Sequence, residues 1–482
     1  MTATHTKGLG MFRNLRSISG RFSTRPGLFV LLALSGCAST LVNNPRNQPQ
    51  VRAVGGAESV IRAPVDVGGE TMVALSFSGG GLRAAAFSFG VLQGLGGHTS
   101  KDGKTLLDDV TFITSVSGGS LTAAYFGLHG VDGLARFRDV GLLRDGEAEL
   151  RMSLLNPVNI ARLLAGGLND RTNFHSWLEG DLFKGATFAD MYRNKKPVVW
   201  INATNVYHRI AFPFHERAFD AICSDLASYP VAEAVAASMA VPVVFAPVVL
   251  QKFPLNCQSD IEGIIARIKS AGTRENNRLT AALLRAIRDF RNPATGHFIK
   301  LIDGGITDNL GLVSILQSRI LLGTPYGPIS ENDAIGARKL LFVVVDAGQG
   351  PSGEWNRDLA GPSAIDIASA SVDAAIDSTM RMSYASFVPM MKSWREEVVR
   401  FRCGLSAQRE AAIRAQKPAW RCDDVSFDVT QISFADLGER EEAELSSIPT
   451  RLKLPVEKID QLISAGRRAV QADEVVKRFA SR

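Results

Sequence analysis

The feature that most constrains the fold is a short apolar run followed at once by glycines and an alanine-rich segment. Residues 72–77 (MVALSF) are predominantly apolar, as expected for a buried strand, and glycines separate them from a helical pattern over 82–95. The same order recurs with the strand-like run 110–117, two glycines and a second helical segment over 121–128. Strand, glycine turn and helix in this order indicate a sheet whose strands run parallel.

Further strand-like runs occur at residues 197–206, 298–302 and 339–346, with helical segments between them. The alternation predicts an α/β fold with three layers, a mostly parallel central sheet with helices on both faces. Helical patterns over 361–394 and 456–479 predict a mainly helical C-terminal extension packed on that core.

The basic charge of the chain belongs to its leader. The 482 residues carry a net charge of +6, a balance that by itself is typical of nucleic-acid binding. Residues 1–36 hold five basic residues and no acidic one, so the remainder has 49 basic residues against 48 acidic ones. We therefore expect no nucleic-acid partner.

The leader has the order of a secretory signal peptide. Basic residues precede the apolar run 28–34, which is too short to span a bilayer, and the sequence LSGC follows at residues 34–37. This ending resembles the lipobox of bacterial lipoproteins, in which the cysteine is lipidated. We expect Cys37 to anchor an exported protein in a membrane, and Ala38 favours the outer membrane. The alternative is an ordinary signal peptide with a chance cysteine.

The remaining cysteines bear on the compartment. An exported protein resides in an oxidising compartment, in which disulfides are stable. Of the three possible pairings of the four cysteines, the simplest joins neighbours along the chain, Cys223 with Cys257 and Cys403 with Cys422. Four free thiols are the alternative. No motif with metal-ligand spacing occurs, so we expect neither a metal nor a cofactor.

The first glycine turn is a candidate anion site. Residues 78–83 (SGGGLR) leave backbone amides uncovered at a helix N-terminus, where negative charge is stabilised. The anion is either a phosphate, because residues 79–84 fit a loose dinucleotide fingerprint, or the transient oxyanion of ester hydrolysis. The phosphate interpretation lacks its acidic residue, since Asp108 and Asp109 precede the second strand, and no Gly-Lys-Ser/Thr element is present.

The second glycine turn favours the oxyanion. Residues 115–119 (SVSGG) follow a strand and match a nucleophile elbow in which Ser117 is the exposed central residue, except that Ser115 replaces the first glycine. Small neighbours are needed there for steric reasons, and serine is small. Ordinary loop chemistry is the alternative.

A serine nucleophile needs a base. None of the seven histidines lies in the last 185 residues, which argues against the usual Ser, Asp, His order of α/β-hydrolases. Asp303 instead ends an apolar strand and precedes two glycines, at the edge where catalytic groups of open α/β sheets gather. A partly desolvated aspartate beside a hydroxyl can take its proton directly. The alternative is that Asp303 only caps its turn.

The three motifs, SGGGLR, SVSGG and DGG in that order, resemble the patatin-like phospholipase family. The segments INATN at 201–205 and ASMAVPVVFAP at 237–247 agree with it, and the resemblance covers residues 71–348. It implies that Ser117 is the nucleophile and Asp303 its general base. It also implies an oxyanion site, whose members would be Gly79, Gly80, Gly81 and Arg83. Two positions depart from the family pattern, Ala84 and Ser115, and neither is a reacting group.

We therefore expect a lipid acyl hydrolase that acts on lipid or phospholipid esters. A non-catalytic envelope lipoprotein that binds lipid or a protein partner is the alternative, and a nucleotide-binding module comes third. The predicted organisation is a signal peptide (1–36), a tether (37–70), a catalytic domain (71–350) and the extension (351–482). An insertion at about 252–296 interrupts the catalytic domain. Its apolar residues at helical spacing over 260–291 indicate either a lid or an interfacial helix pair near the mouth of the active site. The alternative is that they simply pack on the body.

Overall fold

The computed structural model describes part of the chain in detail. The described residues are 43–50, 68–99, 103–148, 150–151, 156–164, 166–170, 174–257, 261–270, 278–350, 359 and 361–482. The predicted signal peptide and Cys37 lie outside them. Residues 43–50, which the sequence analysis assigns to the tether, are docked on the body, where Asn43 Nδ2 donates to Ala246 O at 3.2 Å.

The described residues form ten strands. Their bounds are β1 Gln48–Pro49, β2 Thr71–Phe77, β3 Val110–Val116, β4 Val198–Asn205, β5 Ile210–Phe214, β6 Ser224–Asp225, β7 Val248–Gln251, β8 Phe298–Asp303, β9 Lys339–Asp346 and β10 Ser426–Ser433. The main sheet has the order β10-β9-β2-β3-β4-β8-β7, with β5 paired to β4. The strands from β10 to β4 are mutually parallel, whereas β5, β7 and β8 join through antiparallel pairs. The prediction of a mostly parallel central sheet is confirmed.

Helices connect and cover these strands. Their bounds are α1 Gly81–Leu95, α2 Gly118–Phe137, α3 Pro157–Leu164, α4 Phe174–Trp177, α5 Phe188–Met191, α6 Glu216–Ala221, α7 Val231–Ser238, α8 Ile261–Ser270, α9 Arg278–Arg291, α10 Gly305–Asp308, α11 Val313–Leu322, α12 Glu331–Gly336, α13 Ala364–Cys403, α14 Ala407–Gln416, α15 Glu439–Ser446, α16 Val456–Ala472 and α17 Glu474–Ser481. Gly130 has non-helical dihedrals, so α2 is kinked there. Within the described residues, no helix is both long and apolar enough to cross a membrane.

Alternate residues of the central strands face two separate cores. In β2, Val73 and Leu75 belong to the larger cluster, which holds buried residues of α1, α2 and α16. Met72 and Ala74 belong to the second, which holds buried residues of α11 and α13. Because side chains alternate along a strand, this division gives the sheet a helical layer on each face. The predicted three-layer α/β architecture is confirmed.

The C-terminal extension is built into the core. Strand β10 pairs with β9 along its whole length, from Ser426 opposite Lys339 to Ser433 opposite Asp346. Helix α16 lies so close to α1 that a Cβ on Gly90 would be 2.1 Å from the carbonyl oxygen of Ile463. The extension is mainly helical, as predicted, and it also completes the sheet.

The four cysteines form two disulfides, each between neighbouring cysteines along the chain. Cys223 is bonded to Cys257, and Cys403 to Cys422. The prediction that the four cysteines are paired is confirmed.

The insertion forms the helices α8 and α9. The apolar side chains of α9, among them Leu283, Leu284 and Ile287, are buried in the larger core. This burial favours the alternative in which the apolar stripe packs on the body.

Candidate active site

The elbow between β3 and α2 holds Ser117 in a strained conformation. Its φ of 49° and ψ of −122° lie where non-glycine residues are rare, as expected for a nucleophile on a sharp turn. A Cβ on Gly118 would be 1.9 Å from the carbonyl oxygen of Gly81, and one on Gly119 would be 2.6 Å from that of Ser78. The turn therefore requires glycine at both positions after the serine.

Asp303 lies directly against this serine. Strand β8 ends at Asp303, and Ser117 Oγ donates a hydrogen bond to Asp303 Oδ2 at 2.8 Å. The other carboxylate oxygen accepts from Gly305 N at 2.8 Å, which fixes the orientation of the carboxylate. Each of the two residues is only 6% exposed. The structure thus brings together the two residues that the sequence analysis singled out, although they are 186 positions apart.

The surroundings of Asp303 suit it to accept a proton. Burial raises the pKa of Asp303 to about 6, and the hydrogen bonds from Gly305 and Ser117 limit that rise. The carboxylate is therefore ionised at neutral pH and more basic than an exposed aspartate. Among the described residues, no histidine hydrogen bonds to Ser117 or Asp303.

The glycine loop before α1 supplies free amides beside the serine. Gly79 N donates to the main-chain oxygen of Asn309 at 3.1 Å and to its Oδ1 at 3.2 Å, so this amide is already used within the protein. Gly80 and Gly81 have φ of 138° and 58°, and their amides donate to no acceptor in the described part of the chain. These two of the three predicted glycines are available to hold an oxyanion.

The Arg83 side chain is engaged behind the loop. Arg83 is 2% exposed, and its guanidinium donates to the carbonyl oxygens of Ala347, at 2.9 Å, and Ile448. Burial lowers the pKa of Arg83 to about 10, which leaves it charged at neutral pH. Leu82 N donates to Arg451 O at 2.9 Å. Arg83 therefore contacts the C-terminal strap, as we name residues 448–453, and the strap also contacts the start of α1 through the bond from Leu82 N to Arg451 O.

Ser238 belongs to the candidate site through its hydrogen bonds, and the sequence analysis did not single it out. Its Oγ accepts from Ser117 N at 2.7 Å and donates to Asn202 O at 2.6 Å, while its carbonyl oxygen accepts from Gly304 N at 3.1 Å. It thus joins the turn of the serine to the turn of Asp303. The available signal was a lone hydroxyl in the alanine-rich segment 237–247.

The departure at Ser115 is accommodated by hydrogen bonding. Ser115 Oγ donates to Trp200 O at 3.2 Å and accepts from Ser120 Oγ at 3.1 Å. Ser115 therefore ties the end of β3 to β4 and to α2, and its side chain does not obstruct the nucleophile.

The described residues support neither a nucleotide site at Asp108 nor a metal site. Asp108, considered as the ribose-binding acid of a nucleotide site, caps a turn by accepting from Thr105 N at 2.9 Å. Among the described residues, no group of three or more histidine, cysteine, aspartate or glutamate side chains could hold a metal ion.

Comparison with known proteins identifies the family. The patatin family profile, described as patatin-like phospholipase, matches residues 75–315, which is half of the chain. A search of curated proteins gives no significant match. Among solved structures, VipD from Legionella pneumophila is 13% identical, with 82% of this chain and 67% of that one covered, at a TM-score of 0.27. The matched range contains all three sequence motifs in order, and we conclude that this chain belongs to the patatin-like phospholipase family.

Proposed function

We propose that this protein is a serine acyl ester hydrolase that acts on lipid or phospholipid esters through a Ser117–Asp303 dyad. The single observation that carries the proposal is the 2.8 Å hydrogen bond from Ser117 Oγ to a buried carboxylate. The family supports a lipid substrate. Exposed apolar side chains near the dyad also support it: Val241 and Val243 follow Ala240, whose carbonyl oxygen accepts from Asp303 N.

In the proposed acylation, Ser117 Oγ attacks the ester carbonyl carbon while its proton passes to Asp303 Oδ2. The carbonyl oxygen becomes an oxyanion, which the free amides of Gly80 and Gly81 stabilise. One such donor is typically worth about 3 to 4 kcal/mol of transition-state stabilisation. When the tetrahedral intermediate collapses, the leaving alcohol takes the proton from Asp303.

Deacylation repeats these roles with water. Asp303 accepts a proton as water attacks the acyl-enzyme, the same amides hold the second oxyanion, and Asp303 returns the proton to Ser117 Oγ as the fatty acid leaves. One carboxylate thus serves as base and as acid in each half-reaction. Its pKa of about 6 is close enough to neutral pH for both roles.

We further propose that the protein is exported and anchored at Cys37 in the outer membrane. The lipobox-like residues 34–37 support the anchor. The two disulfides, Cys223–Cys257 and Cys403–Cys422, support an oxidising compartment.

The test is hydrolysis of short-chain chromogenic esters and mixed phospholipid vesicles by the purified chain. Ser117→Ala should abolish both activities, and Asp303→Asn should reduce them nearly as far with the fold unchanged by circular dichroism. Ser88→Ala is the matched control, because the buried Ser88 hydroxyl has no hydrogen-bond partner in the described structure. A folded wild-type protein that binds vesicles without releasing any fatty acid would favour the non-catalytic lipoprotein instead.

A further inference from the structure

A cavity lies on the face of the sheet that is covered by α11 and α13, away from the dyad. Its volume is about 90 Å³, and its floor includes Met72, Val198 and Leu340, which stand near the starts of their strands. Ser117 follows the carboxyl end of β3, and Asp303, the last residue of the antiparallel strand β8, lies opposite Ala203 near the carboxyl end of β4. The cavity is therefore separate from the candidate active site. A water needs 10 to 15 Å³ on this scale, so the space accepts a molecule of about six to nine heavy atoms.

The walls are mainly apolar. Phe112, Trp200 and Phe342 of the sheet line the cavity, and Trp394 of α13 lines it from the helical side. Apolar walls exclude water and favour a hydrocarbon occupant.

Two buried hydrogen-bond donors in this lining have no acceptor among the described residues, His215 Nε2 and Trp394 Nε1. His215 lines the cavity and is 2% exposed. Its Nδ1 accepts from the amides of Arg217 at 3.0 Å and Ala218 at 3.3 Å. Because Nδ1 is an acceptor, the proton of the neutral ring is on Nε2, and no described group accepts from it. Trp394 Nε1, also in the lining, is a second buried donor without an acceptor.

The charges around the cavity select among ligands. Glu216 and Asp333 line it with Arg217, so two acidic side chains stand against one basic one. A carboxylate ligand would be repelled by the two acidic side chains. An ammonium ligand has no lone pair that could accept a hydrogen bond from His215 Nε2. A hydroxyl satisfies both demands, because its oxygen accepts from His215 Nε2 and its proton can be donated to the half-buried Glu216 carboxylate.

We propose that this cavity is a binding site for a small, neutral, apolar alcohol, whose hydroxyl oxygen accepts from His215 Nε2 while its hydrocarbon packs on Trp200 and Phe342. The site does not depend on the proposed hydrolysis. It is tested in the full chain carrying Ser117→Ala, so that failure of the site and failure of the proposed function are separate results.

The measurement is tryptophan fluorescence and thermal denaturation at pH 8 with 1-hexanol, hexanoate, hexylamine and toluene. We expect hexanol to bind about tenfold more tightly than each of the others, since only hexanol fits the walls and satisfies the donor and the carboxylate together. Equal affinity for hexanoate would indicate an anion site. Equal affinity for toluene would show that His215 has no part in recognition. Either result overturns the proposal.

Three variants locate the binding. His215→Asn keeps a helix-capping oxygen but removes the Nε2 donor, so it should weaken hexanol about tenfold and leave toluene unchanged. Ser318→Leu on α11 fills the cavity and should abolish binding of both, with Ala74→Leu on the sheet as a second filling variant. Ser393→Leu adds the same side chain on the exposed surface of α13 and should change neither. Hexanol binding that survives a folded filling variant would overturn the assignment.

Discussion

Acidification should lower the proposed ester hydrolysis because it protonates the proposed general base, Asp303. A base must be ionised to accept a proton, and burial raises the pKa of Asp303 to about 6. Below that value the ionised fraction of Asp303 falls tenfold for each pH unit. At pH 5 about a tenth of the molecules therefore hold the base form, and kcat/KM should be about a tenth of its plateau.

Loss of the fold does not produce the same profile. The pKa of Asp303 is raised in the folded state, so its protonation favours folding, and this contribution to stability, on the order of 3 kcal/mol, is lost as the pH rises from about 4 to 6. Asp308, another buried carboxylate with a pKa raised to about 6 by burial, has the same sign. As the pH falls from 6 to 5, activity should therefore decrease, while the contribution of these two carboxylates to the free energy of unfolding stays equal or increases.

The assay is the initial rate on a soluble chromogenic ester from pH 5 to 8, with circular dichroism at each pH. Asp308→Asn is the control, because Asp308 accepts from Leu310 N and Val313 N and makes no contact with Ser117 among the bonds of the described structure. The midpoint near pH 6 should survive in that variant. A flat profile, or a midpoint that moves when a histidine is replaced by glutamine, would refute Asp303 as the base.

Three further predictions concern the anchor and the supports of the site. Cys37→Ser should leave the protein unprocessed or soluble on cell fractionation, and an unchanged membrane fraction would contradict lipidation. Ser238→Ala leaves the buried amide of Ser117 without its acceptor, so the free energy of unfolding measured in urea should fall by about 1 to 3 kcal/mol. The kcat should fall about ten- to a hundredfold. Unchanged values of both would show that Ser238 does not position Ser117. Glu147→Gln weakens the ion pair with Arg451 and should lower kcat about threefold with KM unchanged, whereas Glu444→Gln, in an exposed pair elsewhere, should not.

The sequence was most informative where local physics decides the structure. Apolar strands followed by glycines indicated the parallel strands β2 and β3. The glycine turns after β3 and β8 located Ser117 and Asp303 before their contact was known, although β8 runs antiparallel to β4. Strand β10 was not anticipated, because most of its residues are only half-buried and its sequence, SFDVTQIS, alternates without a strong apolar pattern. Ser238 was missed because its role exists only when three distant segments meet.

The glycine loop before α1 shows why its sequence motif alone did not identify all of the available hydrogen-bond donors. The motif predicts three glycine donors and an arginine. In the structure, however, the Gly79 amide donates to Asn309, and the Arg83 guanidinium donates to Ile448 of the strap. Neither partner can be inferred from residues 78–83, since both approach the loop from distant parts of the chain.

The extension beyond the family match therefore belongs to the site. The N-terminus of α1 must leave some amides free for an anion, yet an unsupported glycine loop has high conformational freedom. The strap meets both requirements. Arg451 O accepts from Leu82 N and so supports the loop, while the amides of Gly80 and Gly81 stay unpaired among the described residues. Glu147 holds the strap in turn by accepting from Leu452 N at 2.8 Å. Residues outside 75–315 thus hydrogen bond to the segment that contains the glycine loop, so the matched region alone lacks these contacts with the proposed oxyanion site.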